Sequence, residues 1–330
     1  MKKNLLEILV CAKCKGSLLC TVKTETNGSI IEADLECAAC HLHYPVTNGI
    51  PRFVEPDNYA SSFGFQWNLF RKEQIDSHNG TTLSADRFWQ ETGWTKDEIK
   101  GRWILDAGCG AGRFLDAASK SEAQLVGIDI SSAIDAAQAN LEGRDNVHFV
   151  QASIYELPFR EGTFDYCYCI GVIQHTPEPQ RSLRSIAAMV KPEGGIAVTI
   201  YERRKWYTML YSKYWLRPIT KRMKKETLLR LIETIMPVAF PITSVLFRIP
   251  VLGKGFMFVM PIANYVHQVE LNKDQRYAWA ILDTFDMLSP AFDQPMTESE
   301  AGTTLAESGF EISRRASSGL NLTGKRLKTR

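Results

Sequence analysis

The sequence lacks a strong net charge, an internal repeat and a long uninterrupted apolar run. Its 39 Lys and Arg residues nearly balance 37 Asp and Glu residues, and the net charge of +2 excludes a polycation that binds nucleic acid through bulk charge. The missing repeat excludes a solenoid or propeller. A hydrophobic fraction of 45% and a charged fraction of 23% in 330 residues are typical of a globular protein with a sizeable core.

The sequence also lacks the features of a cleavable leader. The apolar run at 5–10 is short, contains Glu7 and is not followed by a small-residue cleavage site. We therefore expect a cytoplasmic, reducing location, where the eight cysteines are thiols or metal ligands rather than disulfides. Four prolines, among them Pro237 and Pro241, interrupt the apolar stretch at 235–266, which argues against a transmembrane helix.

Two Cys-x-x-Cys pairs stand near the N-terminus with 22 residues between them, a spacing close to that of zinc ribbons. The predicted ligands are Cys11, Cys14, Cys37 and Cys40. Four thiolates complete the tetrahedral coordination of zinc and predict a structural site. The block at 1–55 is too small to bury a large core, so bound zinc would supply folding energy. His41 and His43 are substitute ligands, and four unrelated thiols are the alternative interpretation.

The central part of the chain has an alternating pattern. From residue 103 to 201, short apolar runs alternate with helical periods, which predicts an α/β domain with a parallel sheet covered on both faces. Residues 56–100 form a helical lead-in that we expect to cover the cofactor site, and 101–330 form the main domain. A helical, locally basic insertion at about 202–282 precedes a final helix and two strands.

The first apolar strand of this domain leads into a loop that contains Gly108, Gly110 and Gly112. Glycines allow a tight turn and close approach of the backbone to a ligand. A dinucleotide site prefers Gly-x-Gly-x-x-Gly, whereas here the third glycine comes one residue earlier and Asp106 suits a cationic amino group better than a phosphate. Asp129 ends the second strand, where a carboxylate accepts ribose hydroxyls. A glycine turn without a ligand is the alternative.

Four segments, in order, resemble the motifs of class I S-adenosylmethionine-dependent methyltransferases. They are 105–114, 126–131, 157–165 and 190–195. The resemblance implies a Rossmann-like sheet of seven strands with the last one antiparallel, methyltransferase activity and S-adenosylmethionine as the cofactor. The final helix and hairpin are also similar to that family.

The resemblance further implies where the cofactor binds. The glycine loop would hold its methionine part, Asp129 the ribose, and the turn after the third strand the adenine. The family often has an acid where this chain has Ser153. The segment at 63–67 resembles a segment of bacterial methyltransferases that carry an N-terminal zinc-binding module. We therefore expect Gln66 and Trp67 either to contact the cofactor or to belong to the core. The predicted cofactor-binding residues are Gln66, Trp67, Asp106, Gly108, Cys109, Gly110, Asp129, Ile130, Ala152, Ser153, Ile154, Ile170 and Gly171.

His175 follows the fourth strand, at the sheet edge where ligands bind in open α/β folds. Related methyltransferases often carry a histidine there, so the resemblance implies a catalytic base or a group that orients the acceptor. A structural histidine that braces the loop is the alternative. Arg113 either meets a carboxylate of the cofactor or an anion of the substrate, or is a solvated helix residue.

The segments at 5–11 and 44–51 also resemble the small zinc-binding activators of tRNA methyltransferases. In that family the module helps its partners fold. Here it is fused to an enzyme-like domain, so we expect it to act in cis or to recognise a substrate.

The insertion contains ten Lys or Arg residues between Arg203 and Arg230, opposed only by Glu226. A helical lid with a solvated basic face is one interpretation. A phosphate-bearing or otherwise anionic acceptor, peripheral contact with a membrane, and RNA are the others. We expect methylation of a small molecule or glycan. Methylation of ribosomal or transfer RNA bases, with the zinc module recognising RNA, is the second hypothesis, and a non-enzymatic scaffold is the third.

Overall fold

The computed structural model describes residues 1–55, 58–204, 206–314 and 319–328. Lys205, one of the ten basic residues of the insertion, lies outside this part of the chain. The helices are α1 (Lys3–Ile8), α2 (Ser61–Leu69), α3 (Asp76–Asn79), α4 (Leu83–Thr92), α5 (Lys96–Ile99), α6 (Arg113–Ser119), α7 (Ala133–Asn140), α8 (Pro179–Ala188), α9 (Ser212–Thr220), α10 (Lys225–Leu246), α11 (Leu252–Val259), α12 (Lys273–Leu288) and α13 (Glu298–Glu307).

A small antiparallel sheet forms the N-terminal module. Its strands, in spatial order, are β1 (Leu18–Thr26), β2 (Ser29–Cys37), β3 (His43–Thr47) and β4 (Ile50–Pro51). Asn27 and Gly28 connect β1 to β2 with φ values of 50° and 73°, as tight hairpins require. The predicted small β module is confirmed.

A second sheet of seven strands forms the main domain. The strands are β5 (Trp103–Ala107), β6 (Gln124–Asp129), β7 (Val147–Gln151), β8 (Phe164–Ile170), β9 (Val190–Ile200), β10 (Phe310–Arg314) and β11 (Leu320–Arg326). Their order is β10-β11-β9-β8-β5-β6-β7, and β11 runs antiparallel to both of its neighbours. Central strands such as β5 are apolar along most of their length because helices cover both faces. The predicted α/β sheet with an antiparallel last strand is confirmed.

The N-terminal module is joined to the edge of the large sheet at β7. The amide of Phe53 donates to the carbonyl of Gln151 at 2.8 Å, and Arg52 forms an isolated bridge with the same residue. The Arg52 guanidinium also binds both carboxylate oxygens of Asp135, at 2.6 and 3.2 Å. The chain that leaves β4 therefore continues the large sheet.

The two sheets share one hydrophobic core. Leu5 and Leu35 of the module are buried in the same cluster as Val150 and Leu157 of the main domain. Burial of apolar area is the main favourable contribution to folding, and here the module obtains it from its neighbour. The module therefore packs as part of the main domain.

The helices α9 to α12 form a cap between β9 and α13. The side chains of Leu228, Ile232 and Met236 on α10 pack with Ala280 and Phe285 on α12 in a separate core. Helix α12 starts at a capping box, in which the side chain of the preceding residue accepts from the third helical amide, and it continues to Leu288. The insertion thus extends beyond the boundary at about 282 that the sequence pattern predicts.

Helix α10 continues through Pro237 and Pro241, so the interruption predicted at these two prolines is wrong. Both prolines are exposed, and water can satisfy the carbonyl groups that lose their helical donors. By length and composition alone, α10 is the one helix in the described part of the chain that could cross a membrane, and 39% of its apolar window is buried.

The junction at Arg52 gives a stability prediction. Arg52→Ala removes a bidentate ion pair whose arginine side chain is only 16% exposed, so we expect a loss of about 1–3 kcal/mol in the free energy of unfolding in urea. The control is Lys100→Ala, which removes an exposed pair with Glu122 and should cost much less, because water and salt screen such pairs. Equal losses would contradict a structural role of this junction.

Candidate functional site

The glycine-rich loop is held by backbone hydrogen bonds to the neighbouring strand. The amides of Gly108 and Cys109 both donate to the carbonyl of Ile128, at 2.8 and 2.9 Å. Gly108 has a φ of 89°, and a Cβ there would lie 2.5 Å from a methyl group of Val172. Another residue type at position 108 would therefore displace the loop from the segment after β8.

Asp129 fixes the other side of this loop. One of its carboxylate oxygens accepts from the amide of Gly110 at 3.0 Å, and the other accepts from the amide and hydroxyl of Ser131, at 2.8 and 2.7 Å. Burial raises the pKa of Asp129, and these hydrogen bonds act in the opposite direction. Each carboxylate oxygen can accept more than one hydrogen bond, so Asp129 keeps the capacity to bind hydroxyl groups of a ligand.

Asp106 lies below the loop at the end of β5 and is 2% exposed. Desolvation raises the pKa of the Asp106 carboxyl well above its usual range, and the neighbouring Tyr168 hydroxyl opposes this shift. Within the described residues, neither Asp106 Oδ2 nor the Tyr168 hydroxyl has a hydrogen bond of good geometry. A buried acceptor without a partner is uncommon in a folded protein. An ammonium group bound at the loop would give this oxygen a partner, directly or through water, so the residues present fit an amino acid ligand.

A cavity of about 210 Å³ opens above this loop. The predicted residues that line it are Trp67, Gly108, Cys109, Gly110, Asp129, Ile130, Ala152, Ile154, Ile170, Gly171 and His175. Gln66, Asp106 and Ser153 are outside the cavity lining. The cavity therefore brings together the loop, the ends of the strands and α2, and the binding roles stay predictions.

The positions of Gln66 and Ser153 have local causes. Gln66 and Trp67 are neighbours on α2, and consecutive helix residues point about 100° apart, so both cannot face the cavity. Gln66 is fully buried, with both amide atoms unpaired among the described residues. The hydroxyl of Ser153 accepts from the amide of Tyr155 at 3.2 Å and caps a short 3-10 helix. The Ser153 hydroxyl therefore has a structural role in the turn.

His175 lines the same cavity as Asp129. Its Nδ1 atom is 3.0 Å from the carbonyl oxygen of Phe292. Because a carbonyl can only accept, Nδ1 carries a hydrogen, and in the neutral imidazole Nε2 is then the acceptor. The rings of Phe63 and Tyr201 pack beside the imidazole at 5.1 and 5.4 Å and restrict its rotation. The histidine is thus both braced by the fold and able to accept a proton.

Two carboxyl groups that the sequence patterns did not identify line the same cavity as His175. Asp283 and Asp286 lie three residues apart on one face of α12. Burial raises the pKa of each to about 6, and His175 opposes this shift at Asp286. The signal that could have revealed them is a pair of acids on an otherwise apolar helix that ends the insertion.

Arg113 is not solvated. Its guanidinium donates to Ser84 Oγ and Gln74 Oε1, both at 2.9 Å, and lies 5.3 Å from the ring centroid of Trp279. Burial lowers its pKa to about 10. Arg113 lines both the cavity and an outer cavity. Its positive charge opposes the rise in the pKa of Asp283 that burial causes.

The outer cavity has a volume of about 830 Å³ and lies under the cap. Three of the four cations that line it form ion pairs: Lys213 with Asp293 and Arg87 with Glu91, both at 2.8 Å, and Arg204 with Glu202. Lys213 also lies 4.8 Å from the ring centroid of Tyr201. Within the described residues, the basic cluster of the insertion therefore contributes no unpaired positive charge to the lining of this cavity.

The four predicted metal ligands form a single cluster. The sulfur atoms of Cys11, Cys14, Cys37 and Cys40 lie within 4.8 Å of one another, and three of the pairs are 3.4 to 3.6 Å apart. Zinc–sulfur bonds of about 2.3 Å in a tetrahedron place sulfur atoms about 3.8 Å apart, so the arrangement fits zinc. The Tyr44 hydroxyl lies 3.2 Å from Cys11 Sγ and can donate to a thiolate.

Comparisons with known proteins agree with this geometry. Residues 105–198 match the family model of the methyltransferase domain, and residues 2–49 match that of Trm112p-like proteins. Residues 105–198 are therefore similar to a methyltransferase domain, and the four-cysteine block is similar to Trm112p-like proteins.

Curated relatives match the same central region. The chain is 32% identical over 121 residues to a ubiquinone biosynthesis O-methyltransferase of Coxiella burnetii, which covers 35% of this chain and 52% of that protein. It is 29% identical over 121 residues to an O-methyltransferase of Aspergillus nomiae, covering 35% and 54%. The chain spans about half the length of these relatives.

Two solved structures are similar over most of the chain. One is magnesium protoporphyrin IX methyltransferase from Synechocystis, with 16% identity, a TM-score of 0.44 and coverage of 81% of this chain and 96% of that chain. The other is the complex between the Haloferax volcanii Trm112 methyltransferase activator and a methyltransferase, with 12% identity, a TM-score of 0.44 and coverage of 81% and 99%.

The cysteine cluster gives a prediction about metal content. Cys14→Ser should lower both the bound zinc and the midpoint of thermal unfolding, because the binding energy of structural zinc is also folding energy. Elemental analysis and thermal unfolding measure both effects. Cys20→Ser, outside the cluster, is the matched control and should change neither quantity. Full zinc content in Cys14→Ser would contradict a four-thiolate site.

The half-buried carboxyl of Asp286 on α12 gives a pH prediction. The pKa of Asp286 is about 6 in the folded chain, against 3.8 as the ordinary value, so the folded state holds this proton more tightly than the unfolded state between those pH values. The unfavourable contribution of Asp286 therefore grows as the pH rises from about 4 and is complete above about 6. Asp286→Asn should stabilise the protein by about 1–3 kcal/mol at neutral pH and by less at pH 5.

Urea unfolding at several pH values measures this difference. The control is Asp145→Asn, since Asp145 is exposed and its pKa is lowered by Lys2, so this change should not stabilise the protein at neutral pH. A stability gain for Asp286→Asn that does not vary with pH would show that charge burial is not its cause.

Proposed function

We propose that this protein transfers a methyl group from S-adenosylmethionine to an oxygen atom of a small-molecule or glycan acceptor bound under the cap. One observation carries the proposal: a single cavity is lined both by Asp129 and Gly108 and by His175, Asp283 and Asp286. The methyltransferase domain match at 105–198 and the O-methyltransferase relatives support the cofactor and the oxygen acceptor.

The residues of the chain have distinct roles in this proposal. S-adenosylmethionine supplies an electrophilic methyl group when it is bound. Asp129 would accept the ribose hydroxyls, and the amino group would lie near Asp106. Trp67 would cover the loop, because its indole nitrogen is 3.2 Å from the position of a Cβ on Gly110. The ends of β8 and α2 would enclose the site and exclude water.

A protonated hydroxyl is a weak nucleophile, so the reaction needs a base at the acceptor end. The lone pair on His175 Nε2 would accept the hydroxyl proton, while the Nδ1 hydrogen bond to Phe292 keeps the ring in the required tautomer. Asp286 would stabilise the imidazolium that forms, because the Asp286 carboxylate interacts electrostatically with His175. Much of the remaining rate gain would come from positioning.

The Trm112-like module supports a second candidate, methylation of an RNA base. The module shares its core with the sheet at Leu5 and Leu35, so its role in cis as a structural support is sufficient to account for it. We therefore favour the small-molecule or glycan acceptor.

The cofactor site is tested by Asp129→Ala. Loss of this charged acceptor should weaken binding of S-adenosylhomocysteine by about 10- to 100-fold in calorimetry. Asp145→Ala at an exposed site is the control and should bind as the unmodified protein does. Unchanged affinity in Asp129→Ala would count against this cofactor site.

The acceptor is tested by transfer of a labelled methyl group into metabolite, glycan and RNA fractions of the source cell. We expect label in a metabolite or glycan, with little dependence on salt, and a fall in kcat of about 10²- to 10⁴-fold in His175→Gln with cofactor affinity retained. Label in RNA, with a steep salt dependence, would overturn the acceptor and support the second candidate. No label in any fraction, with cofactor binding intact, would support the scaffold hypothesis.

A further inference from the structure

Helix α10 carries a stripe of exposed apolar side chains beside the face that packs against α12. The stripe consists of Leu231, Ile235, Val238, Ile242 and Val245. The spacing of three or four residues places them on one helix face, and the stripe is about 21 Å long. Val238 is 64% exposed and Val245 is 67% exposed. A continuous exposed apolar patch of this kind is typical of an interaction surface.

Other helices of the cap also expose apolar side chains. On α9, Trp215 and Ile219 are 67% and 68% exposed. Val251 and Leu252, at the start of α11, are also exposed. Tryptophan prefers the boundary between water and the apolar part of a membrane, because its ring is apolar and its N–H group is polar.

The same part of the cap is strongly basic. Residues 211–260 contain nine Lys or Arg residues against two Glu residues, although the whole chain has a net charge of only +2. The exposed cations are Lys221, Arg222, Lys224, Arg230, Arg248 and Lys254. In the described residues none of these six forms an ion pair. Three of them directly precede α10, so positive charge adjoins the apolar stripe at its beginning.

We propose that the apolar stripe and these cations dock the cap onto the surface of an anionic lipid bilayer, with α10 lying in the plane of the interface. Apolar side chains and lysine or arginine on one amphipathic surface bind such interfaces through burial and charge together. The helix lies on the bilayer and does not span it, because Leu228, Ile232 and Met236 on its other face belong to the cap core.

A second copy of the chain fits this surface less well. Closed dimers are usually related by a two-fold axis, which brings the same patch of both copies together. Such a contact would place the six cations of each copy near those of the other, and like charges oppose association. An anionic bilayer has the complementary charge.

Helix α9, which precedes α10 in the chain, borders the outer cavity. Lys213 and Tyr214 on this helix line that cavity, whereas Trp215 and Ile219 are exposed. A docked cap would hold the cavity beside the lipid interface, which suits an acceptor with an apolar tail. This consequence for the acceptor rests on the proposed function, whereas the docking itself does not.

Co-sedimentation of the full chain with vesicles tests the docking. We expect binding to vesicles of phosphatidylglycerol and phosphatidylcholine in equal amounts, weak binding to phosphatidylcholine alone, and release by salt. Val238→Asp should weaken binding by about tenfold, since it places a carboxylate in the apolar stripe. Thr303→Asp adds the same charge to an exposed position of α13, outside the cap, and it should cause a much smaller loss.

Several results would overturn the docking. These are no binding to anionic vesicles, equal binding to both vesicle types, and equal losses in the two variants. Light scattering without lipid should show the same mass for the unmodified chain and for Val238→Asp. A dimer that dissociates in Val238→Asp would assign the stripe to a second copy instead. Methyl transfer is not needed for any of these readouts, so failure of the docking and failure of the proposed function are distinguishable.

Discussion

The carboxylate of Asp129 connects the glycine-rich loop to the end of β6, and the arrangement of the whole cavity depends on this connection. It binds the amide of Gly110 on one oxygen and Ser131 on the other. Because the loop is fixed, Val172 can pack against Gly108 and Trp67 against Gly110 without displacing the backbone. Three segments that are distant in sequence, namely the loop, α2 and the residues after β8, therefore meet at one place. The binding site is thus largely preorganised before a ligand binds.

Helix α12 links the stability of the cap to the chemistry of the cavity. Ala280 and Phe285 pack in the cap core, whereas Asp283 and Asp286 line the cavity. Burial of the two acids is unfavourable, as their raised pKa values indicate, and the apolar packing of the same helix offsets that cost. Functional sites often retain such locally unfavourable groups at the expense of stability.

The sequence was sufficient for the fold class, the small β module and the loop, because these depend on local patterns. Glycine spacing, strand ends and Cys-x-x-Cys pairs can be recognised without knowledge of distant contacts. Asp283 and Asp286 could not be placed in this way, since their position depends on how α12 crosses the sheet edge. The pairing of Lys213 with Asp293 likewise joins residues far apart in sequence. Gln66 was assigned with Trp67 although helix geometry separates adjacent side chains.

The junction between the module and the sheet has a consequence for solubility. Strand β7 is the edge of the large sheet, and an uncovered edge offers free amides and carbonyls to strands of other molecules. The amide of Phe53 occupies the carbonyl of Gln151 on that edge, and the module lies beside it. Apart from any role of its zinc site, the N-terminal block thus shields β7 from intermolecular strand pairing. A chain deprived of this block would expose both an apolar surface and an open edge, which together favour aggregation.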